Sequence, residues 1–134
     1  MGLYIYVLAA AIAVFGILIV FKINVEKIKE NPDQREKAQQ NFFIGAAISE
    51  SLPIILLIFG IISMETATSM EELYLPAIII IMLMAFAVFF IFLQRTVGVD
   101  AKSKEVIKIF SFIGIAMANA VPIIALMFLF MAAP

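Results

Sequence analysis

Four long apolar stretches, 3–21, 42–62, 73–93 and 109–131, are separated by three short polar ones. Each apolar stretch is close to the ~20 residues that carry an α-helix through the ~30 Å hydrocarbon core of a bilayer. The pattern predicts an all-α, multi-pass membrane protein of four transmembrane helices. A soluble bundle of buried helices would need far more polar surface than this chain carries. No basic stretch precedes the first run and no small-residue cleavage site closes it. It is therefore expected to be a retained helix and not a signal peptide.

Composition agrees with that reading. Hydrophobic residues make up 65% and charged residues 14% of the chain, against roughly 45–50% and 25% in soluble domains. With no Cys there is no disulfide framework or thiol chemistry. Without His as well there is no imidazole base and no soft-ligand metal site. The net charge of −1 by itself says nothing about nucleic acid; the expected partner is the lipid bilayer, and no nucleic acid is expected.

The charges are segregated. Lys22, Lys27, Lys29, Arg35 and Lys37 lie between the first and second runs, and Arg95, Lys102, Lys104 and Lys108 between the third and fourth. The middle connection, 64–72, has Glu65, Glu71 and Glu72 and no Lys or Arg. The positive-inside rule then places both basic loops in the cytoplasm of a cell membrane, with the middle loop and both termini outside. Glu26, Glu30, Asp33 and Glu36 interleave with the basic residues at helical spacings. Salt-bridged helix ends projecting into water are expected there, with Asn31-Pro32 as the turn.

The second and fourth runs are echoes. Ile44-Gly45 is followed by Glu50, Pro53, Ile54 and Ile55; Ile113-Gly114 is followed at the same spacings by Asn119, Pro122, Ile123 and Ile124. The chain therefore reads as two tandem helical hairpins, 1–66 with Glu50 and 67–134 with Asn119. Both halves begin on the same side of the membrane, which makes this a parallel repeat and not an inverted one. Two hairpins are too narrow to enclose a pathway. Head-to-tail contacts between copies close into rings, so a homo-oligomeric ring is expected.

Glu50 is the only ionisable side chain within 42–62. A carboxylate at the centre of a spanning helix costs roughly 2.5–3.5 kcal/mol on insertion scales, and such a residue is a functional candidate by default. Pro53 has no N–H, so the Ser49 carbonyl loses its helical partner beside Glu50. A protonated Glu50 has that oxygen to donate to; an ionised one offers its own oxygens to a cation, with the Ser49 and Ser51 hydroxyls as further ligands. A neutral acid can pass along lipid and release its proton where water meets it. Asn119 cannot titrate and is read as a structural polar residue bridging helices. Since an amide fits the equivalent place, packing alone does not require an acid at Glu50.

These residues resemble a known family. A polar loop with Asn31-Pro32, then Gly45, then Glu50-Ser51-Leu52-Pro53-Ile54-Ile55 is similar to subunit c, the proteolipid of the rotor ring of F-type ATP synthases. The doubled hairpin with one acid resembles the fused proteolipids of V-type rotary ATPases. The resemblance covers essentially the whole chain and is strongest over 31–62. It implies a non-catalytic ring subunit whose Glu50 carries the ion and whose Asn31-Pro32 loop touches the central-stalk subunits. Helices one and three would line the inside of the ring, and helices two and four would face the stator subunit a. One carboxylate per two hairpins lowers the ions moved per turn, a V-type-like pumping arrangement.

The chain also departs from the family. Ala9, Ala11, Ala13 and Gly16, with Ala85 and Ala87, replace the usual run of inner-helix glycines. The second loop, Gly98-Val99-Asp100-Ala101, lacks the Asn-Pro pair. Sodium-binding members place a glutamine on the inner helix, whereas Val14-Phe15-Gly16-Ile17-Leu18 has no polar side chain, so the proton is favoured over sodium and no cofactor is expected. Two other readings stay open: a ring-forming or structural membrane protein derived from subunit c without ion transport, and a small proton-coupled transporter. Against the transporter, helices one and three are expected to offer no polar residue to a substrate.

Overall fold

The computed structural model describes residues 2–96 and 103–134, and all the regular structure in them is helical. Helix α1 spans Tyr4–Glu30, α2 Arg35–Ile62, α3 Glu71–Thr96 and α4 Lys104–Met131. All four are long and apolar enough to cross a membrane. The second basic loop at 98–101, and Lys102 with it, lie outside the described residues.

The helices outrun the apolar stretches at the basic ends. α1 continues past Phe21 with Asn24, Val25 and Ile28 buried on its inward face, while on the other Lys22 donates to Glu26 one turn on at 2.9 Å and Lys29 approaches the same carboxylate at 3.6 Å. It stops at Asn31, whose extended backbone (φ −147°, ψ 97°) suits a residue before proline. The Asn31 side chain accepts the Asp33 N–H at 3.1 Å and opens the single 3-10 turn Pro32–Gln34. The chain thereby reverses into α2 within a few residues. On the other side, Glu72 accepts from the Thr68 backbone N–H at 3.1 Å and from its hydroxyl, closing the start of α3. This middle connection is also tied to the end of α4 by the Ala67 N–H, which donates to the Ala132 carbonyl at 2.8 Å.

Every close helix pairing runs through α1 or α4, so these two form the middle of the bundle and α2 and α3 its flanks. Between helices in lipid the hydrophobic effect does little, and close packing has to hold them. Small residues supply it. Ala9, Ala10 and Ala13 are fully buried in α1, and Ala87 is in α3. Ala85 faces outward and Ala11 is half-buried, so the inward small-residue line follows helical spacing and not the alternate positions read from the sequence. Phe21 (α1), Phe42 (α2) and Phe110 (α4) meet near the basic end. Phe21 stacks on Phe110 at 5.0 Å, and Phe42 meets Phe110 edge-on at 5.2 Å. Both hydrophobic clusters of the interior draw residues from both hairpins.

Candidate functional site

The residues paired by the sequence echo lie in comparable surroundings. α2 and α4 remain continuous through Pro53 and Pro122, and both prolines are buried. The equivalent glycines both receive α1: a Cβ on Gly45 would stand 2.5 Å from Val20 Cγ1, and one on Gly114 2.7 Å from Phe21 Cδ2. The equivalent polar residues also match. Glu50 and Asn119 are half-buried, and each has one side-chain oxygen, Oε1 and Oδ1, shut from solvent without a hydrogen-bond partner.

Glu50 sits at the edge of the inward face of α2, which runs through Phe42, Ala46, Pro53 and Leu57. Its neighbours do not gather around it. Ser49 lies against α1, where a Cβ on Gly16 would be 3.0 Å from Ser49 Cβ. Ser51 faces outward, and its hydroxyl donates to the Ile48 carbonyl of its own helix at 2.6 Å. Neither the Ser49 nor the Ser51 hydroxyl donates to Glu50 Oε1. Nor does Glu50 Oε1 meet the Ser49 carbonyl freed by Pro53. What remains is a single carboxyl group in apolar surroundings, able to hold a proton. Among the described residues no three acidic, His or Cys side chains gather as a metal ion would require. Asn31 and Pro32 stand at the tip of the first hairpin, well away from Glu50 in sequence and on the basic side of the bundle.

A second polar group was not foreseen. The Cβ position of Gly114 lies 2.7 Å from Phe21 and 3.5 Å from Ile91, which puts α1, α3 and α4 in register at that level. One turn nearer the basic side are Asn24, Gln94 and Ser111, all buried. Asn24 donates to the Val20 carbonyl at 2.8 Å but leaves Oδ1 unpartnered; Ser111 Oγ is unpartnered too. Gln94 Oε1 accepts from Lys22 Nζ at 2.9 Å. Helices one and three therefore do carry buried polar side chains, contrary to expectation. A boundary drawn where the apolar run stops at Phe21 leaves Asn24 outside, although Ile17, Phe21, Asn24 and Ile28 follow one another at inward helical spacing.

At the opposite end a cavity of about 330 Å³ between α1 and α2 is lined in part by Tyr6, Gly60, Ser63 and Glu65, and does not reach Glu50. On the outer face of the basic end of α1, the hydrogen bond from Lys22 holds the Glu26 carboxyl below the usual carboxylate range. No family model, curated protein or solved structure matches this chain.

Proposed function

We propose that the chain is a rotor-ring subunit of a rotary ATPase, moving protons by reversible protonation of Glu50, with one site per double hairpin. The observation that carries this reading is the lone Glu50 carboxyl in a spanning helix, half-buried and unpartnered at Oε1, at the place where the other hairpin has Asn119. The proton is favoured over sodium because a sodium ion needs several oxygens in place of its water, whereas 14–18 of α1 offers no polar side chain and a proton needs only the carboxylate. In this reading copies of the chain close head-to-tail into a ring. The basic loops face the cytoplasm and Asn31-Pro32 meets the central stalk, while a stator subunit faces α2 and α4. Nucleotide chemistry belongs to the partners.

Carboxyl-reactive carbodiimide applied to native membranes tests this. Labelling at Glu50 that sodium does not suppress is expected, together with an intact oligomer of ring size by mass spectrometry. Sodium protection would overturn the choice of ion, and an absence of labelling would leave a structural ring. The buried layer of Asn24, Gln94 and Ser111 favours a second reading, the small proton-coupled transporter. An oligomer no larger than a dimer would support it against the ring.

A further inference from the structure

At the end of the bundle away from the basic loops, the start of α1 and the end of α2 enclose a cavity of about 330 Å³. That lies within the roughly 300–1,000 Å³ usual for small-ligand sites. Gly2, Ser63 and Glu65 are exposed at its rim, and Tyr6 and Gly60 are buried at its floor. Gly60 lets the two helices meet there: a Cβ on it would lie 2.8 Å from Tyr6 Cε1 and 3.1 Å from Cζ, the carbon that bears the hydroxyl. The phenol end of Tyr6 therefore abuts the α2 wall of the cavity. Its hydroxyl is shut from solvent and has no hydrogen-bond partner, whereas a buried tyrosine hydroxyl usually finds one. A group bound at the floor would supply that partner.

The polar groups of the α2 wall accept. The carbonyls of the last turn of α2 lack helical donors and form the negative end of the helix dipole. No basic residue in that turn offsets them. Glu65, two residues past Ser63, adds a full negative charge at the same end. The Ser63 hydroxyl already donates to the Phe59 carbonyl at 2.8 Å and keeps only its lone pairs. Among the described residues no Lys or Arg lines the cavity. A carboxylate beside a helix C-terminus sets like charge against like, and a cation between them relieves both. An ammonium group carries three donors, one each for the Glu65 carboxylate, a terminal carbonyl of α2 and the Tyr6 hydroxyl oxygen.

We propose that this cavity takes an ammonium group, carried by an aminophospholipid headgroup or by a free small amine, with Glu65 at the rim and Tyr6 at the floor as its acceptors. Every lining residue belongs to one chain, so the assignment does not rest on the rotor reading. The full chain, purified in mild detergent and equilibrated with equal phosphatidylethanolamine and phosphatidylcholine, is examined by native mass spectrometry for retained lipid. A choline headgroup has no N–H to donate. A preference for phosphatidylethanolamine of about tenfold is therefore expected, the contribution of one hydrogen bond to a charged group. Glu65→Gln abolishes the preference, whereas Glu71→Gln, an equal charge change outside the cavity, leaves it intact. Both residues are exposed, so neither change threatens the fold. Tyr6→Phe lowers the preference while keeping the thermal midpoint at or above that of the unaltered chain, since it removes an unpaired buried hydroxyl. Ethanolamine titrated into lipid-free micelles distinguishes the sources. A rise in thermal midpoint that equal sodium chloride does not give, and that Glu65→Gln removes, assigns the site to free amines as well; no rise, with phosphatidylethanolamine still preferred, assigns it to the lipid headgroup. Equal retention of the two lipids with no response to ethanolamine, or equal effects of Glu65→Gln and Glu71→Gln, would overturn the site.

Discussion

Gly114 of α4 is seated on the ring of Phe21 in α1, so closely that an added methyl group would lie 2.7 Å from Phe21 Cδ2. Phe21 cannot swing aside, because it stacks on Phe110 and meets Phe42 edge-on. The matching glycine of the first hairpin, Gly45, faces both methyl groups of Val20, at 2.5 and 3.1 Å, but that side chain is smaller and only half-buried. Gly114→Ala is therefore expected to destabilise the bundle by about 1–3 kcal/mol, the usual cost of overpacking. Gly45→Ala should cost less, helped by the better helix propensity of alanine. Thermal unfolding of both variants in the same detergent measures the difference. Equal losses would show that the half-buried Val20 yields no more readily than the aromatic cluster.

Ser111 gives a test of what occupies the polar layer. Its hydroxyl is fully buried and unpartnered, and an unpaired hydroxyl in apolar surroundings costs about 1–3 kcal/mol. If the layer is dry, Ser111→Ala should leave the protein as stable or up to about 1 kcal/mol more stable. A loss of stability would mean that a bound water links Ser111 to Asn24 Oδ1.

The spans, the Asn31-Pro32 turn and the Glu50/Asn119 correspondence are legible in the sequence because each follows from local chemistry. Apolar length sets a helix that can cross the bilayer, proline biases the residue before it, and a repeat shows itself by spacing. The rest depends on how helices lie against one another. That α1 is central while α2 flanks the bundle is a matter of packing angle. The same angle turns Asn24 and Gln94 inward, although both follow the end of an apolar run and read as solvated. Ser51 adjoins Glu50 in sequence, but neighbours in a helix point about 100° apart, and its hydroxyl donates to the Ile48 carbonyl of its own turn, a contact that spacing alone does not reveal.

Acid should loosen the α1 extension. Glu26 accepts from Lys22, which lowers its carboxyl below the ordinary value. A depressed carboxylate stabilises the folded form above its unfolded value of about 4.3 and loses that contribution as pH falls through the folded value. The pair is exposed, so the effect is expected to be small, about 0.3–0.5 kcal/mol, and weaker in high salt. The protection of amides 22–30 in the detergent-solubilised chain, taken relative to their intrinsic exchange rate at each pH, should fall below pH 4 in the unaltered protein and show no such step in Glu26→Gln. An identical acid response in both would place the cause elsewhere.

Asn119 lets the reading of Glu50 be tested in both directions. The two positions share their distance from a buried proline and from a glycine packed on α1, and each hides one unpartnered oxygen. An amide of similar size should therefore be accepted at Glu50, and Glu50→Gln is expected to keep the thermal midpoint within the shift given by about 1 kcal/mol while abolishing carbodiimide labelling. Conversely, Asn119→Glu places an acid in an equivalent apolar setting and should give a second labelled position with a similar dependence on pH. If Glu50→Gln unfolds the chain, the acid is needed for packing, and the contrast between the hairpins says nothing about ion carriage. If Asn119→Glu folds but resists labelling, the two sites differ in access to protons, and the second hairpin has lost more than its carboxyl group.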